Sequence, residues 1–148
     1  MDQVYANGRT LFGAMHRQDL DMMRLLVKWG ADVNLGIPTI GHSPLHRASY
    51  YDLPEFAQYL LEKGAHVNAP TKGPNPDFGI PSEVQEVGGE TPLHYAGGFA
   101  GSELILYLLE HGADPGIRNQ TSLLPLDWAV ARDRPEKIAM LLSSELSD

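Results

Sequence analysis

The apolar residues of the chain fall in short helical stripes rather than in strand-like alternation. The clearest stripe is Leu104, Ile105, Leu108 and Leu109, whose i, i+1, i+4, i+5 spacing places all four side chains on one face of a helix. Gly112 follows where helices commonly end in a left-handed cap. The pattern predicts an amphipathic helix that ends at this glycine.

A second, shorter helix is predicted just before it. Thr91 can cap a helix N-terminus, and Pro92 suits the first helical position because the N–H there would be unpaired. The segment 101–103 reads as a turn, and Glu103 places a carboxylate near the start of the next helix, where the helix dipole favours it. The two helices form a hairpin too small to bury its own apolar face, so further copies are expected.

The hairpin recurs along the chain. Gly30, Gly64 and Gly112 each follow an apolar helix and begin the segments GADVN, GAHVN and GADPG; the first two glycines are 34 residues apart and the next two are 48 apart. The segments RTLFGAM, SPLHRAS and TPLHYAG stand 21 residues before them, and LPLDWAV from Leu124 lies in the same frame. A period near 33 residues indicates a helical solenoid.

SPLHRAS, TPLHYAG and the G-A-D/H-V-N endings resemble ankyrin repeats, whose pattern is T-P-L-H-x-A-A, a second helix and G-A-D-V-N. The resemblance is in phase over nearly the whole chain. It implies an all-α ankyrin-repeat solenoid of stacked helix-turn-helix hairpins with one long finger insertion, in a single domain over 1–148. The outer units depart from the pattern, as capping repeats do. The predicted segments are repeat 1 (about 3–35), repeat 2 (about 36–69), the insertion (about 70–88), repeat 3 (about 89–117) and capping repeat 4 (about 118–148).

Repeat 3 departs from the family pattern at Gly97, Gly98 and Gly101. Glycine within a helix costs roughly 0.5–1 kcal/mol relative to alanine. One explanation is close packing between helices, which we favour. The alternative is room for the backbone of a partner.

The insertion accounts for the longer 48-residue spacing between Gly64 and Gly112. Its many prolines and glycines disfavour a long helix, so a short extended or one-turn segment is expected at 80–87. The family resemblance makes it a projecting finger, which Phe78 and Ile80 could pin to the body. Such a loop is either functional or a tolerated insertion, and we favour a role in recognition. Its acidic residues are Asp77, Glu83, Glu86 and Glu90.

Charge and cysteine content narrow the function. The formal net charge of −8 argues against a nucleic-acid or anionic-membrane surface; it is compatible with a partner that has a basic surface, or with solubility alone. The absence of cysteine excludes disulfides and favours a cytoplasmic protein. No secretory signal is visible at the N-terminus, and no stretch approaches the roughly 18 apolar residues of a membrane span.

The sequence offers no catalytic constellation. A G-x-S-x-G motif is absent, and the glycine-rich segment 97–102 lacks the lysine of a phosphate-binding loop. His46 and His94 occupy the T-P-L-H position, where the resemblance implies hydrogen bonding around the turn rather than metal binding. His66 and His111 are expected at the surface, as is His16. We therefore predict no catalytic residue, no cofactor and no metal.

The predicted binding surface is the groove that first helices and fingers line in the resembled family. Arg47, Tyr95 and Trp128 share a position that is usually half-buried between repeats, so packing is favoured for Tyr95 and Trp128. Exposed tyrosine and arginine residues are enriched at binding hot spots. The predicted partner-binding residues are His16, Arg17, Ile40, Tyr50, Tyr51, Asp77, Phe78, Glu83, Glu86, Phe99 and Arg132.

The resemblance implies a non-catalytic protein–protein interaction module. We expect a small stand-alone adaptor or inhibitor that is a monomer on its own. Two alternatives stay open: a bacterial immunity protein that neutralises a cognate toxin, and a structural subunit of a larger assembly. An enzyme or metal protein is the least favoured interpretation.

Overall fold

The computed structural model describes residues 11–37, 39–76, 78–144 and 146, and the fold below refers to these. The chain is helical between its turns, apart from an isolated antiparallel bridge between Ile37 and His42. The start of predicted repeat 1, at 3–10, lies outside the described residues. The helices are α1 (11–16 of the described chain), α2 (Leu20–Lys28), α3 (Pro44–Tyr50), α4 (Pro54–Glu62), α5 (Pro92–Phe99), α6 (Ser102–Glu110), α7 (Pro125–Ala131) and α8 (Glu136–Ser144).

The helices form successive hairpins, which confirms the predicted all-α solenoid. Each of α3, α5 and α7 begins with a proline, as expected for a position whose N–H has no helical partner. Helices α2, α4 and α6 are each followed by a glycine two residues after their last residue; these are Gly30, Gly64 and Gly112, whose φ angles are +102°, +95° and +97°. Those left-handed conformations confirm the predicted helix stops.

The first helices form the inner layer of the stack and the second helices form the outer layer. Helices α3, α5 and α7 have 7, 8 and 7 residues, whereas α4, α6 and α8 have 9 each. The first helices also pack more closely on one another than the second helices do. The stack is therefore more tightly packed along its inner layer than along its outer layer.

Glycines allow the close approach of α5 to α7. A Cβ atom at Gly97 would lie 2.9 Å from the carbonyl oxygen of Pro125, and one at Gly98 would lie 3.3 Å from the Trp128 ring. Both positions are fully enclosed. This confirms the close-packing explanation for these two residues, because the following repeat fills the space that the second alternative left for a partner.

The insertion folds back over the inner layer instead of projecting from the stack. The Phe78 ring stacks on Tyr50 with centroids 4.1 Å apart, and Ile80 packs against the same cluster, so both residues pin the loop as predicted. A single 3-10 turn over Ser82–Val84 lies against α7 and buries Val84 completely. The one-turn prediction is thus confirmed, but the insertion does not project freely, because Phe78 and Val84 are buried against α3, α5 and α7.

Candidate functional site

An aromatic cluster fills the space between the insertion and the inner layer. Its fully enclosed members are Tyr95 of α5 and Trp128 of α7, whose rings are 5.2 Å apart at 78°, in an edge-to-face arrangement. The buried loop residues Phe78 and Val84 cover them. Edge-to-face ring pairs add stability beyond their buried area. The packing role predicted for Tyr95 and Trp128 is therefore confirmed.

The hydroxyl group of Tyr95 joins three parts of the chain. It donates to Glu86 Oε2 at 2.6 Å and accepts from His42 Nε2 at 2.9 Å. Burial and the nearby Glu86 carboxylate raise the pKa of Tyr95, so the phenol stays protonated. One side chain of α5 thus holds both the insertion and the turn before α3.

The carboxylate of Glu90 anchors the end of the insertion. It is fully buried and accepts hydrogen bonds from the backbone N–H groups of Val87 and Gly88, from Thr71 Oγ1 and from Asn119 Nδ2. Sequence reasoning missed this role and counted Glu90 only as a loop acid. The neighbouring glycines were a possible signal, because residues 88 and 89 adopt φ angles of +127° and +78° that let the backbone turn around the carboxylate.

The T-P-L-H histidines tie each repeat to the next. Nδ1 of His46 accepts from the backbone N–H of Ser43 at 3.1 Å, and its Nε2–H donates to the carbonyl of Glu90 at 2.9 Å. His94 bonds in the same way to Thr91 and to the carbonyl of Leu123. Burial lowers the pKa of His46 to about 3 and that of His94 to about 4. Both rings are therefore neutral and structural.

The structure brings together four of the predicted contact residues in what we call the aromatic groove: Tyr50, Tyr51, Phe99 and Arg132, with Arg47 at its edge. The ring of Tyr50 lies 4.9 Å from that of Tyr51 and 4.8 Å from that of Phe99. Arg132 covers Phe99 with its guanidinium 4.6 Å from the ring centroid, and Arg47 lies 5.7 Å from the Tyr51 ring. Tyr51 is 46% exposed.

Glu83, Glu86 and Phe78 occupy different environments although all three belong to the insertion. Glu83 has a side chain 52% exposed, with its carboxylate 4.0 Å from Arg132, so it borders the aromatic groove. The Glu86 side chain is only 7% exposed, and Phe78 is buried beneath Tyr50 and Tyr51. Phe78 therefore holds the loop in place and does not form the open contact surface that the sequence suggested, whereas Glu86 is held by Tyr95 and keeps a small exposed part of its side chain.

The remaining predicted contacts lie away from the aromatic groove or outside the described chain. His16 and Arg17 are exposed at the end of α1. Ile40 is half-buried, and its carbonyl accepts from the backbone N–H of Lys72, so it links the turn before α3 to the start of the insertion. Asp77 lies outside the described residues.

Over the described ranges, no three histidine, aspartate or glutamate side chains converge as a metal site requires. None of the helices in that part of the chain is long and apolar enough to cross a membrane.

Comparison with known proteins places two family models on the chain. The model for ankyrin repeats in three copies matches residues 1–71, and the model for a single ankyrin repeat matches residues 88–120. The matches lie on either side of the long insertion.

Similar curated proteins are much longer than this chain. The E3 ubiquitin-protein ligase Ufd4 of Drosophila melanogaster is 31% identical over 139 residues, which is 92% of this chain and 4% of that protein. The nuclear factor NF-kappa-B p105 subunit of Mus musculus is 35% identical over 115 residues, which is 77% of this chain and 10% of that protein. Ankyrin repeat and SOCS box protein 5 of Mus musculus is 33% identical over 125 residues, covering 84% and 32%. The chain thus spans less than two thirds of each relative.

Proposed function

The chain belongs to the ankyrin-repeat family, and from this premise we propose that it binds a partner protein through the aromatic groove and the adjoining face of the insertion. Ankyrin repeats indicate a protein–protein interaction module. An adaptor or an inhibitor would use such a surface in the same way, by occupying part of its partner. We extend the proposal to a monomeric, cytoplasmic protein without catalytic activity.

The observation that carries the proposal is the exposure of Tyr51 beside rings that two arginines contact. Tyrosine and arginine are among the residues that dominate binding energy at protein interfaces. Arg47 and Arg132 flank the rings of Tyr51 and Phe99 and contact their faces. Because Tyr50 is held by the Phe78 ring and by a 2.6 Å hydrogen bond to the Phe78 carbonyl, the groove loses little side-chain entropy on binding.

Charge supports a partner with a basic surface. The chain carries a net charge of −8, and Glu83 is an exposed carboxylate at the edge of the groove. Such a surface would attract a basic partner at long range and raise its association rate. Ligase activity forms no part of the proposal, because this chain corresponds to only 4% of the ubiquitin ligase that it resembles.

A capture experiment with a matched pair of variants tests the proposal. The full chain is immobilised, exposed to a lysate of its native cell, and the bound proteins are identified by mass spectrometry. Tyr51→Ala should lose the specific partner, whereas Tyr107→Ala, the same change on outer-layer helix α6, should retain it. Equal recovery of the partner by the two variants would refute binding through the groove.

A further inference from the structure

We propose that a cleft inside the insertion binds an arginine side chain of the partner protein, with Glu86 as the carboxylate that receives it. The cleft has a volume of about 500 Å³. Its apolar lining is formed by Pro74, Pro76, Ile80, Pro81 and Val87, and Glu86 also lines it. This inference rests on the proposed function, because the partner must supply the side chain.

Glu86 has unused capacity to accept hydrogen bonds. A carboxylate offers about four acceptor positions. Tyr95 donates to Oε2 at 2.6 Å, and His42 Nε2 lies 3.5 Å from the same oxygen. Within the described chain no lysine or arginine pairs with Glu86, although its side chain is only 7% exposed. A carboxylate this enclosed is stabilised by a cation that it can bond directly.

Glu90, four residues further on, shows what a satisfied buried carboxylate looks like in the same loop. It receives four hydrogen bonds, from Thr71, Val87, Gly88 and Asn119. Both oxygens of Glu90 take part, whereas the hydrogen bond that Glu86 makes with the described residues uses Oε2. The contrast singles out Glu86 as the residue that can take a further donor.

The shape and chemistry of the cleft fit arginine. The aliphatic part of an arginine side chain packs well on apolar surface while its guanidinium reaches a polar group. The planar guanidinium presents several N–H donors to a carboxylate. This suits Glu86, because one of its two oxygens already accepts from Tyr95. The proline rings have fixed φ angles, so the walls lose little entropy when the cleft is filled.

The test uses a small probe and the full chain labelled with ¹⁵N. N-acetyl-arginine-N-methylamide is titrated while the amide signals of Gly79, Gln85 and Val87 are followed by NMR. N-acetyl-citrulline-N-methylamide serves as the matched probe, since it has nearly the same shape without the charge. Saturable shifts of the cleft amides with the arginine probe, and at least about tenfold weaker binding of the citrulline probe, are expected.

Two variants of equal charge locate the receiving group. Glu86→Gln keeps an oxygen for Tyr95 but removes the negative charge, and it should weaken binding of the arginine probe at least about tenfold. Glu103→Gln makes the same change on an exposed side chain of α6, away from the insertion, and should leave binding within about twofold.

Three outcomes would overturn the inference: equal binding of the two probes, shifts that avoid the cleft, or equal behaviour of the two variants. The comparison of probes on the unmodified chain decides the matter even if Glu86→Gln does not fold. No partner protein takes part in the titration. A negative titration therefore contradicts the arginine cleft, whereas a negative capture experiment contradicts binding through the aromatic groove.

Discussion

The hydroxyl oxygen of Tyr95 lies 2.6 Å from Glu86 Oε2, and this contact joins the inner layer of the stack to the insertion. A hydrogen bond between two enclosed groups, one of them charged, is worth more than a neutral bond at the surface. The position of the insertion therefore depends on this phenol as well as on apolar packing and on the hydrogen bonds of Glu90.

Tyr95→Phe removes that bond while keeping the ring. Because the enclosed Glu86 would then lose its hydroxyl donor, we expect the free energy of unfolding to fall by about 1.5–3 kcal/mol. The measurement is urea unfolding followed by circular dichroism. Tyr107→Phe is the control, since the hydroxyl group of Tyr107 makes no hydrogen bond to the described residues. Equal stability of the two variants would contradict the assigned role.

Glu90→Gln should be among the more damaging conservative changes in the chain. The new amide N–H₂ group would replace one oxygen and face the two donors of that oxygen, either Thr71 Oγ1 and the N–H of Gly88 or the N–H of Val87 and Asn119 Nδ2. Leaving buried donors unpaired costs about 1–3 kcal/mol per group. We expect the free energy of unfolding, measured with urea, to fall by about 2–4 kcal/mol. Glu103→Gln, on the exposed face of α6, should lower it by less than about 0.5 kcal/mol. A loss as small as that of the control would disprove the anchoring role of Glu90.

Stability should fall on mild acidification because of two buried histidines. The pKa values of His46 and His94 are about 3 and about 4 in the folded protein, below the unperturbed value of 6.5. Between the folded and the unperturbed pKa values, the unfolded chain binds more protons than the folded chain does. The contribution of these histidines to the free energy of unfolding is therefore complete above pH 6.5 and is lost as the pH falls. Each histidine contributes a slope of up to about 1.4 kcal/mol per pH unit.

Urea unfolding at pH 7.5, 6 and 5 measures this slope. These values stay above the range where most carboxylates titrate. His46→Gln should reduce the dependence on pH, and His66→Gln, at an exposed position, should preserve it. A midpoint that does not change between pH 7.5 and pH 5 would exclude this source of acid sensitivity.

Gly97→Ala tests the close approach of α5 to α7. Alanine favours helix by up to about 1 kcal/mol over glycine, but its Cβ would stand 2.9 Å from the Pro125 carbonyl oxygen. Steric strain should dominate and lower stability by about 1–3 kcal/mol. Gly13→Ala is the matched change in α1, where the new atom would meet nothing within 4 Å, so stability should stay level or rise. The reverse order of the two melting temperatures would contradict the packing described here.

Local pattern was sufficient to predict the repeats. The helix stops at Gly30, Gly64 and Gly112 and the proline at the start of each first helix follow from nearest-neighbour chemistry. The inward position of Trp128 followed from its equivalence to Tyr95 in the repeat frame. Periodicity carries such information because each repeat contacts only its neighbours.

The path of the insertion could not be predicted in the same way. The contacts that fix it span 28 residues from Tyr50 to Phe78 and 29 residues from Glu90 to Asn119. Charge alone predicts exposure for a glutamate, so Glu86 and Glu90 read as surface acids until their partners are known. Which residues of the candidate site are open and which are enclosed depends on these distant contacts.

The folded insertion also limits how freely the repeats can be exchanged. Phe78 rests on α3, Glu86 is held by α5, and the turn at Ser82–Val84 lies against α7. In most solenoids a repeat can be removed or replaced because it touches only the units beside it. Here one loop fastens three consecutive hairpins, so they behave as one indivisible module that would melt together.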